Sequence, residues 1–246
     1  MARISALLAA VLLVALALLV FENATLKREL RKMEERPRAN DAIATSSSKQ
    51  FPSSVGSIAP RQGYKHAIAT VFWVGEGETE DNAYISNSES AFDGNWLSSF
   101  GGVDDPECRN GFHPCLFTPR ENPFYIALPY SDLDEEGNRK ENAFGIPWFK
   151  AVTKGSLLKD RWVEVRANGT SCYAQWEDVG PFGEDDFAYV FGTSTAPQNT
   201  YGEGAGIDLS PAMRDCIQVD GSSDVEWRHV DASAVPEGPW KEILTH

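Results

Sequence analysis

Short runs that alternate apolar and polar residues dominate the chain after about residue 63. Ala67–Val74 (AIATVFWV), Phe124–Pro129 (FYIALP), Trp162–Arg166 (WVEVR), Ser171–Glu177 (SCYAQWE), Phe187–Phe191 (FAYVF) and Val225–Val230 (VEWRHV) are each bounded by Gly, Pro, Asn or Asp. A period of two with β-branched and aromatic residues predicts strands, and six strands predict a small barrel. Two stretches follow a helical period instead. Phe92, Trp96 and Phe100 recur every four residues within Glu89–Phe100, where Gly101-Gly102 supplies the stop. A second helix is predicted from Pro211, with Ser210 as its cap and Pro211 suited to the first turn. No repeat of solenoid length is visible.

The first 62 residues follow a different pattern. Ile4–Phe21 (ISALLAAVLLVALALLVF) is 18 residues without a charge, preceded by Arg3. That length just spans a bilayer core at about 1.5 Å per helical residue, so residues 1–22 are read as a signal anchor. A signal peptide cut near Ala24 is the alternative, and no clean small-x-small site precedes the polar residues. Residues 23–62 form a charged stalk ended by Pro37 and a Ser/Pro-rich tether, leaving 63–246 as the folded domain. Six Lys and Arg follow the span, which by the positive-inside rule alone would keep the body in the cytoplasm. They are interleaved with Glu, however, and the four cysteines of the body look paired. Export to the periplasmic or extracellular side is therefore expected.

Composition narrows the class of function. The 246 residues carry 22 basic and 36 acidic side chains, a formal charge of −14. Residues 41–246 hold 15 basic against 32 acidic side chains. Such a body repels phosphate, so nucleic acid is not an expected partner. Cys108, Cys115, Cys172 and Cys216 allow three pairings. A local Cys108–Cys115 bridge and a Cys172–Cys216 bridge from strand to helix are expected, and both suit an oxidising compartment. The competing reading takes Cys108, His113 and Cys115 as metal ligands, but the paired spacing of structural zinc sites is absent and no metal is expected.

Candidate chemistry concentrates at residues 176–212. Asp178 closes a predicted strand in WEDVGPFGEDD, and Asp208 precedes the capped helix in GAGIDLSPA. Carboxylates at a strand end are held rigidly while their heads stay open, a common mounting for acid–base groups. Each also has a structural role available, Asp178 as a turn acceptor and Asp208 at a helix start.

D-x-G-P-F followed by G-x-x-I-D-L-S-x-A resembles the paired signature of six-stranded double-psi β-barrels that act on wall polysaccharide. These include rare-lipoprotein-A-like lytic transglycosylases, expansins, family 45 endoglucanases and the three-Asp domain of membrane-bound lytic transglycosylase A. The resemblance covers mainly Trp162–Met213. It implies a mainly β fold, a double-psi barrel with short helices and loop insertions, behind the anchor helix. It also implies Asp208 as proton donor, Asp178 as its partner, Asp132 as the nearest match to a third acidic position, cell-wall polysaccharide as partner and no cofactor. Val179 stands where the rare-lipoprotein-A pattern has a basic residue, so substrate contacts are expected to differ. Trp176, Tyr201 and His113 are candidate substrate-binding residues. The acidic segment 75–123 is an insertion relative to a minimal barrel, expected to be a solvated surface or a groove wall. A wall polymer binder that cuts nothing, and a partner-binding module, remain the alternatives.

Overall fold

A computed structural model describes residues 63–80, 82–151 and 154–246. The expected anchor, stalk and tether lie outside the described residues. No helix among the described residues is long and apolar enough to cross a membrane.

The chain is mainly β. Strands β1 (Lys65–Val71), β4 (Tyr125–Leu128), β5 (Arg161–Ala167), β6 (Thr170–Val179), β7 (Ala205–Leu209) and β8 (Ser223–Val230) close a barrel in the order β1-β7-β4-β6-β5-β8. β2 (Arg109–Asn110) and β3 (His113–Pro114) form a separate two-stranded ribbon. Two neighbouring pairs, β1–β7 and β4–β6, run parallel, and antiparallel β4–β7 joins them. The remaining contacts are antiparallel.

Alternation explains the barrel wall. Ile126 and Leu128 of β4, Ile207 and Leu209 of β7, Val163 and Val165 of β5, and Trp176 and Trp227 all enter one core cluster. A six-stranded barrel has a narrow interior, and Ala67, Ala69 and Ala174 leave the room that the two indoles require. Asn168-Gly169 turns β5 into β6 with both residues at positive φ (53° and 81°), the two-residue hairpin turn that matches strand twist.

Five of the six expected strands form, and the sixth prediction is corrected. Phe187–Phe191 alternates like a strand, yet Phe187–Val190 is a helical turn, α2. Asp186 decides it: its carboxylate accepts the Tyr189 N–H at 3.1 Å and the Gln198 N–H at 2.6 Å. The missing barrel strand is β7, five residues long with Gly206 inside it and Gly204 just before it. The expected helix over Glu89–Phe100 contracts to α1 (Trp96–Phe100), because Ser90 Oγ accepts from Phe92 and Asp93 N–H groups and holds that stretch in a turn. Helix α3 (Pro211–Ile217) starts as expected, with Ser210 Oγ accepting the Met213 N–H at 3.2 Å.

Both expected disulfides form, Cys108–Cys115 across the β2–β3 ribbon and Cys172–Cys216 between β6 and α3. Bridged cysteines cannot act as thiolate ligands, which removes the Cys108/His113/Cys115 metal reading. The insertion is more than a solvated surface. Trp96 and Phe100 of that segment pack with Phe72, Val74, Tyr125 and Ala127 into a second apolar cluster, against the outer face of β4.

Candidate functional site

Thr70, Asp208, Ala127 and Asp178 stand in register across β1, β7, β4 and β6. Residues directly opposite in a ladder share a face, and the core side chains Ile207, Leu209, Ile126 and Leu128 take the other one. The row therefore lies on the outside of the barrel. Asp178 reaches it through a β-bulge. Trp176 pairs with Ile126 and Asp178 with Ala127, so Glu177 is an extra residue with no counterpart on β4. Without that bulge, regular alternation from Trp176 through Glu177 would send Asp178 inward. Bulges re-aim side chains in this way. The two Asp residues flank Ala127 from opposite sides, which places their Cα atoms roughly 10 Å apart, two strand spacings.

The surroundings of Asp208 favour its neutral form. It is half-buried, and burial is the main cause that pushes its carboxyl up to about 7; the charges of Asp178 and Glu76 push the same way, against the hydrogen bond donated by Thr70. Thr70 Oγ1 donates to Oδ1, which leaves Oδ2 toward Gly180. A methyl group at Gly180 would stand 3.1 Å from that oxygen. Half-protonated near neutral pH, Asp208 has the protonation range of a general acid.

Asp178 differs in kind. Its Oδ1 accepts the backbone N–H of Ala91 at 2.7 Å and of Val179 at 2.8 Å. Burial pushes its carboxyl up to about 7 against those two donors. The bond to Ala91 ties the insertion to the barrel beside Asp208. Asp178 thus positions a loop and adds negative charge, and the freer acid of the two is Asp208.

Glu76 is a third acidic neighbour that sequence reasoning passed over, as one of several acids in a polar run. It is buried, Asn87 Nδ2 donates to its Oε2 at 2.8 Å, and burial raises its carboxyl. The signal available was the pair of Asn residues, Asn82 and Asn87, within the next eleven positions. Among the described residues no group of three or more His, Cys, Asp or Glu is arranged to hold a metal ion.

The other predicted site residues separate. Asp132 is wholly buried in an ion pair with Arg139, and it accepts from Ser156 Oγ at 2.6 Å and Leu157 N–H at 2.7 Å. Trp176 is also wholly buried and donates Nε1–H to the Asp178 carbonyl at 2.7 Å, so it supports the row from inside the core. Neither has a surface to offer a substrate. His113 sits on the disulfide-bridged ribbon, 3.9 Å from Glu242. Tyr201 is 69% exposed, and its ring lies 5.7 Å from that of Phe182. Both rings line a cavity of about 380 Å³. At Gly202 a Cβ would lie 3.4 Å from Thr70 Cγ2 and 3.6 Å from Phe182, so the wall of this cavity adjoins the threonine that holds Asp208.

No protein family and no curated protein matches the chain.

Proposed function

We propose that this protein cleaves a β-linked polysaccharide of the cell wall, peptidoglycan or a related polymer, with Asp208 as general acid, from an exported and membrane-tethered position. The barrel is read as double-psi: two parallel strand pairs joined through antiparallel β4–β7 support it, together with the D-x-G-P-F and G-x-x-I-D-L-S-x-A motifs. Two disulfides support an oxidising compartment. The observation that carries the activity is the Asp208 carboxyl, pushed up to about 7 and mounted beside an aromatic-walled cavity.

In this reaction the Asp208 proton goes to the glycosidic oxygen, and the C1–O bond breaks with its electron pair leaving on that oxygen. The electron-poor C1 is then captured by water, or by the C6 hydroxyl of the same sugar, and the proton released by that oxygen returns to Asp208. Burial, reinforced by the charges of Asp178 and Glu76, holds a proton on Asp208 near neutral pH, and those two charges favour the positive charge that develops at C1. Tyr201 offers a ring face to the sugar. No cofactor enters the scheme.

A second reading, polysaccharide binding without cleavage, gains from Asp178: backbone donors take its Oδ1, and a hydrolase of the two-carboxylate type needs a second free group. Incubation with purified wall sacculi and mass spectrometry of released fragments separates the two. Anhydro ends indicate intramolecular capture and reducing ends indicate hydrolysis, each lost in Asp208→Asn. Retention on sacculi with no release by the wild type favours binding alone.

A further inference from the structure

The bulge that aims Asp178 outward is built on a carboxyl group that lacks a donor. Glu177, the extra residue of β6, is only 3% exposed. Antiparallel β5–β6 pairing sets Arg161 against Trp176, so one step further along the same ladder Asp160 stands opposite Glu177. Directly opposed side chains of a ladder are in contact. Asp160 is fixed there with φ of 65°, its N–H donating to the Trp176 carbonyl at 3.2 Å. Glu121, from the segment before β4, brings a third acid to the same place. Among the described residues, Glu177 Oε1, Asp160 Oδ1 and Glu121 Oε2 are all buried and none has a hydrogen-bond partner.

Two facing carboxylates offer each other no donor, whereas one proton between them supplies it. Burial is the main cause that holds the Glu177 carboxyl well above the ordinary carboxylate range; the charges of Asp160 and Glu121 act the same way, and Lys159 opposes them. Asp93 and Arg120 face the cluster through Glu121, with opposite signs. We propose that Glu177 is a positioning residue: its neutral carboxyl, donating to Asp160, holds the β6 bulge and so keeps Asp178 in the outer row with Asp208. Ionised, Glu177 would set like charges face to face in a buried place, and the strain is relieved only when that carboxylate moves out. Trp176 is anchored in the core, so the rotation falls on the bulge itself. Asp178, the next residue, is carried off the row and loses the Ala91 N–H. The row is therefore assembled while Glu177 holds its proton and is released when the proton leaves. This adds regulation to the site read above as glycan-active, and only its consequence for activity rests on that reading.

Amide hydrogen exchange of the full chain, followed by NMR, tests the device at the Ala91 N–H. In the wild type, protection of that amide is expected to fall at least about tenfold between about pH 5 and about pH 9, while amides of the β5–β8 ladder keep theirs. Ionisation of Asp178 acts in the opposite direction, because a carboxylate accepts more strongly than a neutral acid. Glu177→Gln stays neutral and keeps a donor toward Asp160, so it should hold Ala91 protection across the whole range. The ¹³C signal of the wild-type Glu177 carboxyl should titrate with the same midpoint as the Ala91 loss, and that comparison decides the matter if the variant does not fold. Ala91 protection that holds or rises in the wild type, an equal fall in Glu177→Gln, a parallel fall throughout the ladder, or a Glu177 carboxyl that titrates apart from the Ala91 amide overturns the proposal. No substrate enters these measurements, so a wild type that neither binds sacculi nor releases fragments from them overturns the glycan reading alone.

Discussion

At the scale of single residues, Asp208 serves function at a cost to stability, and the sign of that cost can be measured. An acid whose folded pKa lies near 7, above the ordinary unfolded value of about 3.9, binds its proton more tightly in the folded chain. Above pH 7 folding must then place an unwelcome charge, so Asp208→Asn should raise the melting temperature at pH 8 while cutting the rate of fragment release on the order of 100-fold or more. A residue needed only to start α3 would instead lose stability when changed. Ser210 already fills the cap, so that outcome at pH 8 would return Asp208 to a structural role. Gly180 gives a second handle on the same carboxyl. The 3.1 Å clearance to Oδ2 means Gly180→Ala must displace the oxygen by a few tenths of an ångström. Release should fall several-fold, with circular dichroism and melting near wild type. An unchanged rate would show that Oδ2 does not carry the proton.

At the scale of elements, the Cys172–Cys216 bridge ties β6, which carries Asp178, to α3, which follows Asp208. Its ends are 44 residues apart against 7 for Cys108–Cys115. By the chain-entropy estimate the long loop is worth about 4 kcal/mol and the short one about 2 kcal/mol. Urea denaturation of Cys172→Ala/Cys216→Ala should accordingly show a larger loss of midpoint than Cys108→Ala/Cys115→Ala. The reverse order would mean that the ribbon, not the strand–helix tie, limits unfolding. Strands β5 and β6 were legible from alternation within a few residues, because WVEVR sets Val163 and Val165, and SCYAQWE sets Cys172, Ala174 and Trp176, at every second position on the core face. Asp208 and the start of α3 were legible from local capping chemistry and from the motif around them. β7 was not, since Gly204 and Gly206 dilute its two core residues Ile207 and Leu209. Phe187–Phe191 misled because its alternation is real and the overriding signal sits one residue earlier, in Asp186. The bulge at Glu177 leaves no mark in the sequence, because an inserted residue is defined by what the partner strand lacks. Glu76 was hidden for a similar reason: the nearby Asn82 and Asn87 are at least as close in sequence to Glu78 and Glu80, and the folded insertion is what pairs them with Glu76.

At the scale of the whole molecule, buried carboxyls set how stability varies with pH. Asp178 and Asp208 are each pushed up to about 7, and burial also raises Glu76, Asp104, Glu121 and Glu177. Glu177 is the bulge residue, with Oε1 buried and unpartnered and the charges of Asp160 and Glu121 nearby. For every one of these groups the folded state holds more protons than the unfolded state between the two pKa values. Stability therefore falls as pH climbs from about 4, and the part contributed by Asp178 and Asp208 is lost as pH rises through about 7. His229 works the other way. Stacked on Phe191 and Trp176, it is lowered to about 4, so the unfolded state binds its proton first and stability drops as pH falls from about 6.5 toward 4. One imidazole opposes at least two carboxyls, each with a limiting slope of about 1.4 kcal/mol per pH unit, and the formal charge of −14 adds self-repulsion that acidification relieves. Thermal and urea midpoints should consequently be higher at pH 5 than at pH 8. Combining Asp178→Asn with Asp208→Asn should flatten much of that slope. A wild type more stable at pH 8, or a double variant that keeps the full slope, would mean that the row across β1, β7, β4 and β6 is ionised at neutral pH and that Asp208 has no proton to give.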